Sequence, residues 1–177
     1  MQILETKISG IKIIQPTIFS DSRGYFFEIF QKKKYRELVG IEQEFVQDNY
    51  SYSYKNVLRG LHFQRDKPQG KLLRVVRGEV FDVAVDIRKH SPTFGKWIGM
   101  ILSEKNKIQL WIPPGLAHGF VVLSDMADFE YKCTDYYDPE SEECLLWNDP
   151  TVNISWPVSN PILSEKDKLG KKLQELF

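Results

Sequence analysis

Residues 71–88 read KLLRVVRGEVFDVAVDIR, two valine-rich runs around Arg77-Gly78. Alternation within each run, with a glycine between them, predicts two β-strands in a hairpin-like arrangement. Further short β-type runs follow between turn residues, at 97–103 (WIGMILS), 108–113 (IQLWIP), 119–124 (GFVVLS) and 129–137 (FEYKCTDYY). Evenly spaced short strands separated by Gly and Pro predict an all-β protein, an antiparallel sandwich or barrel.

Helical patterns are scarce in this chain. Residues 31–40 (QKKKYRELVG) predict a short helix that ends at Gly40. Residues 163–177 (LSEKDKLGKKLQELF) predict a C-terminal helix with Ser164 as N-cap and Asp167 three residues later. Gly170 weakens the middle of that helix by about 1 kcal/mol relative to alanine. No repeat or linker is visible, so residues 1–177 are expected to form a single domain.

Charge and composition exclude several classes of protein. Lys+Arg and Asp+Glu each total 24, so the net charge is zero and nothing favours nucleic acid or an anionic membrane as partner. No apolar run approaches the ~18–20 residues of a membrane span, and MQILETKISG is not typical of a signal peptide. The two cysteines, Cys133 and Cys144, form no CxxC pair. A cytoplasmic location is therefore the expectation.

Two of the three histidines lie in motifs. Residues 113–118 (PPGLAH) match PxGxxH, which resembles the second motif of the cupins, a family of double-sheet β-barrels. In the earlier segment GLHFQ (60–64), Gln64 stands where metal-binding cupins carry a second histidine. His62 and His118 thus lack obvious further ligands, whereas zinc usually takes three or four protein ligands. No metal site is predicted, and two buried, hydrogen-bonded histidines remain the plain alternative.

A set of segments in order carries a more specific resemblance. They are FSDSRGYFFEIF (19–30), FVQDNYSYS (45–53), VLRGLHFQ (57–64), QGKLLRVVRGEVFDVAVDIRKHSPTFGKW (69–97), IPPGLAHGF (112–120), YKCTDYYDPESE (131–142), LWNDP (146–150), ISWP (154–157) and LSEKD (163–167). Together they are similar to the dTDP-4-dehydrorhamnose 3,5-epimerase family of cupins. Many short matches with fitting spacing are more specific than any single motif.

The resemblance implies a fold, a reaction and a partner. The fold is a cupin-type double-stranded β-helix, or jelly-roll barrel, with a few short helices. The reaction inverts C3 and C5 of dTDP-4-keto-6-deoxy-D-glucose, in dTDP-L-rhamnose biosynthesis. The family uses no metal and no organic cofactor, and it forms homodimers in which N-terminal strands are exchanged.

The resemblance also implies roles for individual residues. His62 matches the base, Asp167 its carboxylate partner, Tyr131 the acid, and Lys71 a cation near the C4 oxygen. If His62 faces inward on its strand, Leu61 and Phe63 point the other way. The positions that match substrate contacts are Arg23, Glu28, Gln47, Asp48, Asn49, Arg59, His118, Tyr137, Glu142 and Lys166. Tyr137 is the candidate for stacking on thymine.

Two departures and three alternatives stay open at this point. Family members commonly have histidine where Tyr50 stands and often have glycine where Asn56 stands, although Asn tolerates a positive φ. A mono-epimerase acting on a related dTDP-sugar would keep the same base and acid. Cupins that move the keto group between C3 and C4 fit less well. A non-catalytic sugar-nucleotide-binding cupin would not need His62, Asp167 and Tyr131 together.

Overall fold

The computed structural model describes residues 1–177 and contains thirteen strands and three short helices. In chain order these are β1 (Gln2–Glu5), β2 (Lys12–Gln15), β3 (Phe19–Asp21), β4 (Gly24–Phe26), α1 (Lys32–Val39), β5 (Gln47–Tyr54), β6 (Leu58–Gln64), β7 (Lys71–Arg77), β8 (Glu79–Asp86), β9 (Trp97–Ser103), β10 (Gln109–Ile112), β11 (Leu116–Val122), β12 (Met126–Cys133), β13 (Glu142–Cys144), α2 (Glu165–Lys168) and α3 (Leu173–Leu176). None of the helices is long and apolar enough to cross a membrane.

Two antiparallel sheets form the body of the molecule. One has six strands in the order β1-β2-β10-β7-β12-β5, and the other has five in the order β13-β6-β11-β8-β9. A separate pair, β3 and β4, stands apart from both sheets. The predicted all-β, double-sheet jelly-roll class is therefore confirmed, and the strands whose positions the pattern predicted, β7 to β12, end within about four residues of the predicted ranges.

Residues 71–88 form two strands but not a hairpin, so that part of the prediction is wrong. β7 pairs with β10 and β12 in the six-stranded sheet, while β8 pairs with β11 and β9 in the other sheet. Gly78 makes the corner with φ +82°, and a Cβ there would lie 2.1 Å from the Met126 carbonyl oxygen. The alternating pattern identifies strands, but it does not identify their neighbours.

Alternation buries one face of each sheet against the other. The core between the sheets includes Leu73 and Val75 of β7 and Val80 and Ala84 of β8. A second apolar layer on the outer face of the five-stranded sheet includes Leu61 and is covered by the C-terminal segment. A third packs α1 against the outer face of the six-stranded sheet. Each sheet therefore packs apolar side chains on both of its faces.

The prediction of the first helix is confirmed, whereas the predicted C-terminal helix is wrong in its extent. α1 ends at Gly40, whose N–H donates to the Tyr35 carbonyl, as the pattern predicts. The C-terminal helix is broken into α2 and α3, because the Lys171 N–H donates to the Cys144 carbonyl and the Leu146 N–H donates to the Lys171 carbonyl. Strand-like pairing at Lys171 replaces the helical hydrogen bonds there. Ser164 is the N-cap of α2 and accepts a hydrogen bond from the Asp167 N–H.

Candidate active site

His62 and Asp167 form a hydrogen-bonded pair although they lie 105 positions apart in sequence. β6 carries His62 toward the space between the sheets, while Leu61 and Phe63 face the outer apolar layer, as alternation predicts. The first turn of α2 brings Asp167 against the same strand. His62 Nε2 lies 2.6 Å from Asp167 Oδ1. The structure therefore assembles the pair that the resemblance implied.

Strands β6 and β11 approach each other closely next to this pair. Gly60 has φ +122°, and a Cβ there would lie 2.6 Å from the Gly119 Cα. Only glycine combines that backbone conformation with that contact. β6 and β11 can therefore pack tightly just before they present His62 and His118 opposite each other.

Asp167 is ionised by its surroundings despite its burial. Burial raises the pKa of this carboxyl, but the hydrogen bond and charge of His62 outweigh that effect, with help from Ser164 and the Gly60 N–H. The net pKa lies below the ordinary value. A carboxylate only accepts hydrogen bonds, so His62 Nε2 carries the hydrogen and donates it. Nδ1 makes no hydrogen bond and is left as the basic nitrogen.

Tyr131 and Lys71 come from the opposite sheet. They lie on the neighbouring strands β12 and β7 and share with His62 a cavity of about 80 Å³. Burial, followed by the nearby Cys133 and Glu142, raises the pKa of Tyr131 to about 12, so its phenol keeps its proton at neutral pH. Burial lowers the pKa of Lys71, partly offset by nearby acidic groups. The His62 imidazole and the Tyr131 phenol thus face the same small space from opposite sheets.

Other predicted binding residues line the rim of the cavity. It is lined by Gln47, Asn49, His62, Phe63, Gln64, Gln69, Lys71, Tyr131, Tyr137 and Glu142. The Tyr137 hydroxyl donates to Glu142 Oε2 at 2.7 Å, and Lys166 forms an ion pair with the same carboxylate. Burial raises the pKa of Glu142, but these two partners bring it below its ordinary value. Glu142 therefore connects Tyr137 to Lys166, the residue next to Asp167.

Arg59 and His118 lie close to this cavity without lining it. Arg59 Nε donates to Ser53 Oγ at 2.9 Å, and the guanidinium remains exposed on β6. His118 is buried, and its Nε2 lies 2.8 Å from Asp82 Oδ2. Gln64, where a cupin metal ligand would stand, instead donates to the Lys67 and Tyr136 carbonyls. His62 and His118 therefore each pair with a separate carboxylate.

Three predicted contacts lie away from the cavity of the single chain. Arg23 is 88% exposed at the β3–β4 turn and pairs with Asp21 at 2.5 Å. Glu28 pairs with Lys34 at 3.0 Å, and Asp48 pairs with Lys132 at 2.9 Å. Asp48 also points away from the face that Gln47 and Asn49 present, because side chains alternate along β5.

The two sequence departures have different outcomes. Tyr50 is exposed and lies on the outer face of β5, near Asp128 of β12. That position is away from the cavity. Asn56 adopts φ 65°, as expected for a residue that replaces glycine in a turn. Neither residue lines the cavity that holds His62 and Tyr131.

Sequence reasoning missed two residues that lie beside the histidines. Asp82 is fully buried beside His118, and its Oδ1 has no hydrogen-bond partner. A charged residue at an inward position within VFDVAV was a signal that could have indicated it. Cys144 lies opposite His62 in the β13–β6 register, with Sγ 3.9 Å from Asp167 Oδ1. No sequence signal pointed to this cysteine.

Comparisons with known proteins agree over nearly the whole chain. The family model for dTDP-4-dehydrorhamnose 3,5-epimerase matches residues 5–175. A dTDP-4-dehydrorhamnose 3,5-epimerase of Shigella flexneri is 57% identical over 173 residues, 97% of this chain and 96% of that protein. The crystal structure of a 3,5-epimerase from Legionella pneumophila in complex with dTDP-4-keto-L-rhamnose is 59% identical, with a TM-score of 0.95 over 98% of this chain and 93% of the other. A 3'-monoepimerase from Streptomyces bikiniensis in complex with dTDP-quinovose is 32% identical, with a TM-score of 0.89 over 96% and 86% of the two chains.

Proposed function

Since the chain belongs to the dTDP-4-dehydrorhamnose 3,5-epimerase family, we propose that His62, Asp167, Tyr131 and Lys71 carry out the reaction of that family. The protein is an isomerase, and the reaction inverts C3 and C5 of dTDP-4-keto-6-deoxy-D-glucose to give dTDP-4-keto-L-rhamnose, in dTDP-L-rhamnose biosynthesis. The observation that carries the assignment of roles is the position of His62 and Tyr131 on opposite sheets around one cavity.

The chemistry requires groups on two faces of the sugar. C3 and C5 flank the C4 ketone, so loss of a proton from either carbon gives an enolate. Inversion then requires a base on one face, stabilisation of the oxyanion, and an acid on the opposite face. Two facing sheets with a base on one and an acid on the other meet this requirement.

His62 acts as the base through Nδ1. Because Nε2–H is held by Asp167 at 2.6 Å, Nδ1 is the nitrogen free to take the proton from C3 or C5. Asp167 then stabilises the imidazolium that forms, in the way that a triad carboxylate does. The lowered pKa of Asp167 keeps it ionised for this task.

Tyr131 returns the proton from the other side. Its raised pKa, about 12, keeps the phenol protonated until an enolate accepts the hydrogen. Lys71 lies on the adjacent strand, and its side chain makes no hydrogen bond within the chain, so its ammonium is free to approach the C4 oxygen. A buried cation aimed at developing negative charge lowers the barrier to enolate formation.

Binding of the dTDP portion falls to the rim of the cavity. Arg59 and Lys166 supply positive charge for the pyrophosphate, and arginine can bind phosphate oxygens in a bidentate manner. Tyr137 is half exposed and provides the aromatic face for thymine. Gln47, Asn49 and Glu142 orient the sugar, and buried His118 supports the floor of the site beside His62.

We further propose a cytoplasmic homodimer in which Arg23 and Glu28 serve the neighbouring subunit's site. β1 pairs with β2, and β2 pairs with β10 of the same chain, so the segment available for exchange is the arm formed by β3 and β4. This arm exposes Phe19, Tyr25 and Phe26, which is unusual for a surface in water. Dimer formation would cover these rings and carry Arg23 to the partner.

Mixing two inactive variants tests this exchange. In a heterodimer of Arg23→Ala and His62→Ala subunits, exchanged arms leave one site with both changes and the other with none. We expect activity to return when the two variants are refolded together. Light scattering should give the mass of a dimer. A monomer at micromolar concentration, or a mixture as inactive as its components, would contradict the exchange.

The reaction itself is tested by proton NMR in D₂O with dTDP-4-keto-6-deoxyglucose generated in situ. Deuterium at both C3 and C5, in wild type but not in His62→Ala, is the expected result. Deuterium at one carbon would indicate a mono-epimerase, and no exchange would indicate a sugar-nucleotide-binding protein. The reaction should also survive prolonged EDTA treatment, and a loss of activity that a metal restores would contradict metal-free catalysis.

A further inference from the structure

Cys144 completes a cluster of three different donor atoms. It faces His62 across the β13–β6 pair, and its Sγ lies 3.9 Å from Asp167 Oδ1. The imidazole nitrogen, the thiol sulfur and the carboxylate oxygen all lie within 4.8 Å of one another. Cys144 has no part in the reaction described above, yet it adjoins both members of the catalytic pair.

The chemistry of this donor set suits a thiophilic divalent cation. Zinc takes imidazole nitrogen, thiolate sulfur and carboxylate oxygen at about 2.0 to 2.3 Å, with three protein ligands and one water in open sites. One thiolate and one carboxylate would neutralise the two charges of the ion. The cluster contains a single carboxylate, Asp167, which already pairs with His62, so it is not simply a group of free acids.

We propose that His62, Cys144 and Asp167 form an inhibitory binding site for Zn²⁺ and similar thiophilic cations. The ion replaces the hydrogen between His62 Nε2 and Asp167 Oδ1, which move apart from 2.6 Å to admit it. The Cys144 thiol loses one proton to solvent. The imidazole hydrogen moves from Nε2 to Nδ1.

This shift of the imidazole hydrogen explains the inhibition. Nδ1 then carries a hydrogen and cannot accept one from C3 or C5 of the sugar. Asp167, now a metal ligand, no longer holds the tautomer that catalysis needs. The ion reaches the cluster from the cavity, past the His62 side chain, which is 30% exposed. Binding of the ion stands independently of the roles proposed above, whereas the inhibition rests on His62 as the base.

Cys133 provides a matched control. It is the other free cysteine and is also buried, but it lies on β12 in the opposite sheet. Its sulfur accepts a hydrogen bond from Asn49 Nδ2 at 3.5 Å, and it belongs to no such donor cluster. A general effect of metal on cysteine would involve both residues, whereas the proposed site involves Cys144 alone.

The test uses Co²⁺ as a spectroscopic substitute and Zn²⁺ as the inhibitor, with wild type, Cys144→Ala and Cys133→Ser. In wild type and Cys133→Ser we expect a near-ultraviolet thiolate–cobalt band and loss of activity with Zn²⁺ that EDTA reverses. Cys144→Ala should keep its metal-free activity and lack the band. Removal of a direct ligand should raise the half-inhibitory Zn²⁺ concentration at least about tenfold. Cys144→Ser replaces the alanine variant if circular dichroism shows that the latter is unfolded.

Several results would overturn the proposal. A missing band in wild type, or a band that persists in Cys144→Ala, would reject the binding site. Equal zinc sensitivity in wild type and Cys144→Ala would place the inhibition elsewhere. A band lost in Cys144→Ala, together with unchanged wild-type activity in saturating Zn²⁺, would reject the blocked-base mechanism. Because D₂O exchange without metal tests the proposed reaction separately, failure of that reaction is distinguishable from failure of this site.

Discussion

Two histidine–carboxylate pairs lie side by side between the sheets, yet they differ in what they can do. His62 and His118 face each other in the β6–β11 register, and each holds a carboxylate, at 2.6 Å and 2.8 Å. The His62 side chain is 30% exposed to the cavity, whereas that of His118 is 8% exposed and its aspartate is fully buried. Access to the cavity, rather than the pairing itself, separates the proposed base from the supporting pair.

The largest expected effect comes from His62→Ala. Removal of the base should lower kcat by about 10⁴-fold, the upper end for general base catalysis. The fold should survive, because Asp167 loses its His62 partner but keeps its hydrogen bonds with Ser164 and Gly60. Steady-state kinetics and a thermal melt check both parts. Activity within a few-fold of wild type would remove His62 from the role of base.

Asp167→Asn should have the next largest effect on rate. The amide can present a donor to His62 Nε2 and favour the wrong tautomer, so kcat should fall by about 10³-fold. KM should change little, because Asp167 is buried behind His62. Separate measurement of kcat and KM decides this. If KM rose while kcat stayed constant, Asp167 would be a binding residue instead.

His118→Ala should act mainly on stability. It leaves the buried Asp82 without its partner, which should cost about 3 kcal/mol in free energy of unfolding. The kcat of the folded protein should fall less than about tenfold, since His118 does not line the cavity. Urea unfolding and kinetics on the same sample provide the test. A loss of kcat equal to that of His62→Ala would make the two pairs catalytically equivalent.

Tyr131→Phe should separate proton removal from proton return. Loss of the acid should lower product formation by about 10²-fold, because the enolate must take its proton from solvent. Exchange of the C3 and C5 hydrogens with D₂O should persist, since His62 is intact. NMR measures both rates in one experiment. Unchanged product formation would assign the acid to another residue.

The smallest expected effect is the pH dependence of stability. The pKa of Asp167 is lower in the folded protein than its ordinary value of 3.8, so the unfolded chain binds this proton more tightly. Asp167 therefore stabilises the fold above about pH 4, and the contribution is lost as the pH falls through the folded pKa. Thermal melts from pH 7 to pH 3 should fall less steeply for Asp167→Asn than for wild type. Asp48→Asn, at an exposed position, should follow the wild-type curve.

The fold was largely predictable because alternation is a local property. Strands β7 and β8 lie where the valine-rich runs predicted them, β9 covers the predicted residues 97–103, and α1 ends at Gly40. The hairpin at Gly78 was wrong because a local pattern does not tell which strands become neighbours. The C-terminal helix was too long in the prediction because pairing of Lys171 with residues 144–146 is a non-local interaction.

The candidate site, like the fold, was predictable from the sequence only in part. Resemblance pointed to His62, Tyr131, Lys71 and Asp167, and the structure brings all four together around or behind one cavity. It did not point to Asp82 or Cys144, whose importance comes only from contact with a histidine on another strand. Arg23 and Glu28 lie outside the cavity of their own chain, so their role in binding depends on the proposed dimer.

The amino-acid sequence by itself determined the strand pattern, the balanced charge and the family to which the chain belongs, because these depend on residue order alone. The tertiary structure decided which strands pair, which nitrogen of His62 stays free, and which of two buried histidine pairs reaches the cavity. These features depend on distances between residues far apart in the chain. Packing of two twisted sheets sets those distances, and no local pattern contains them.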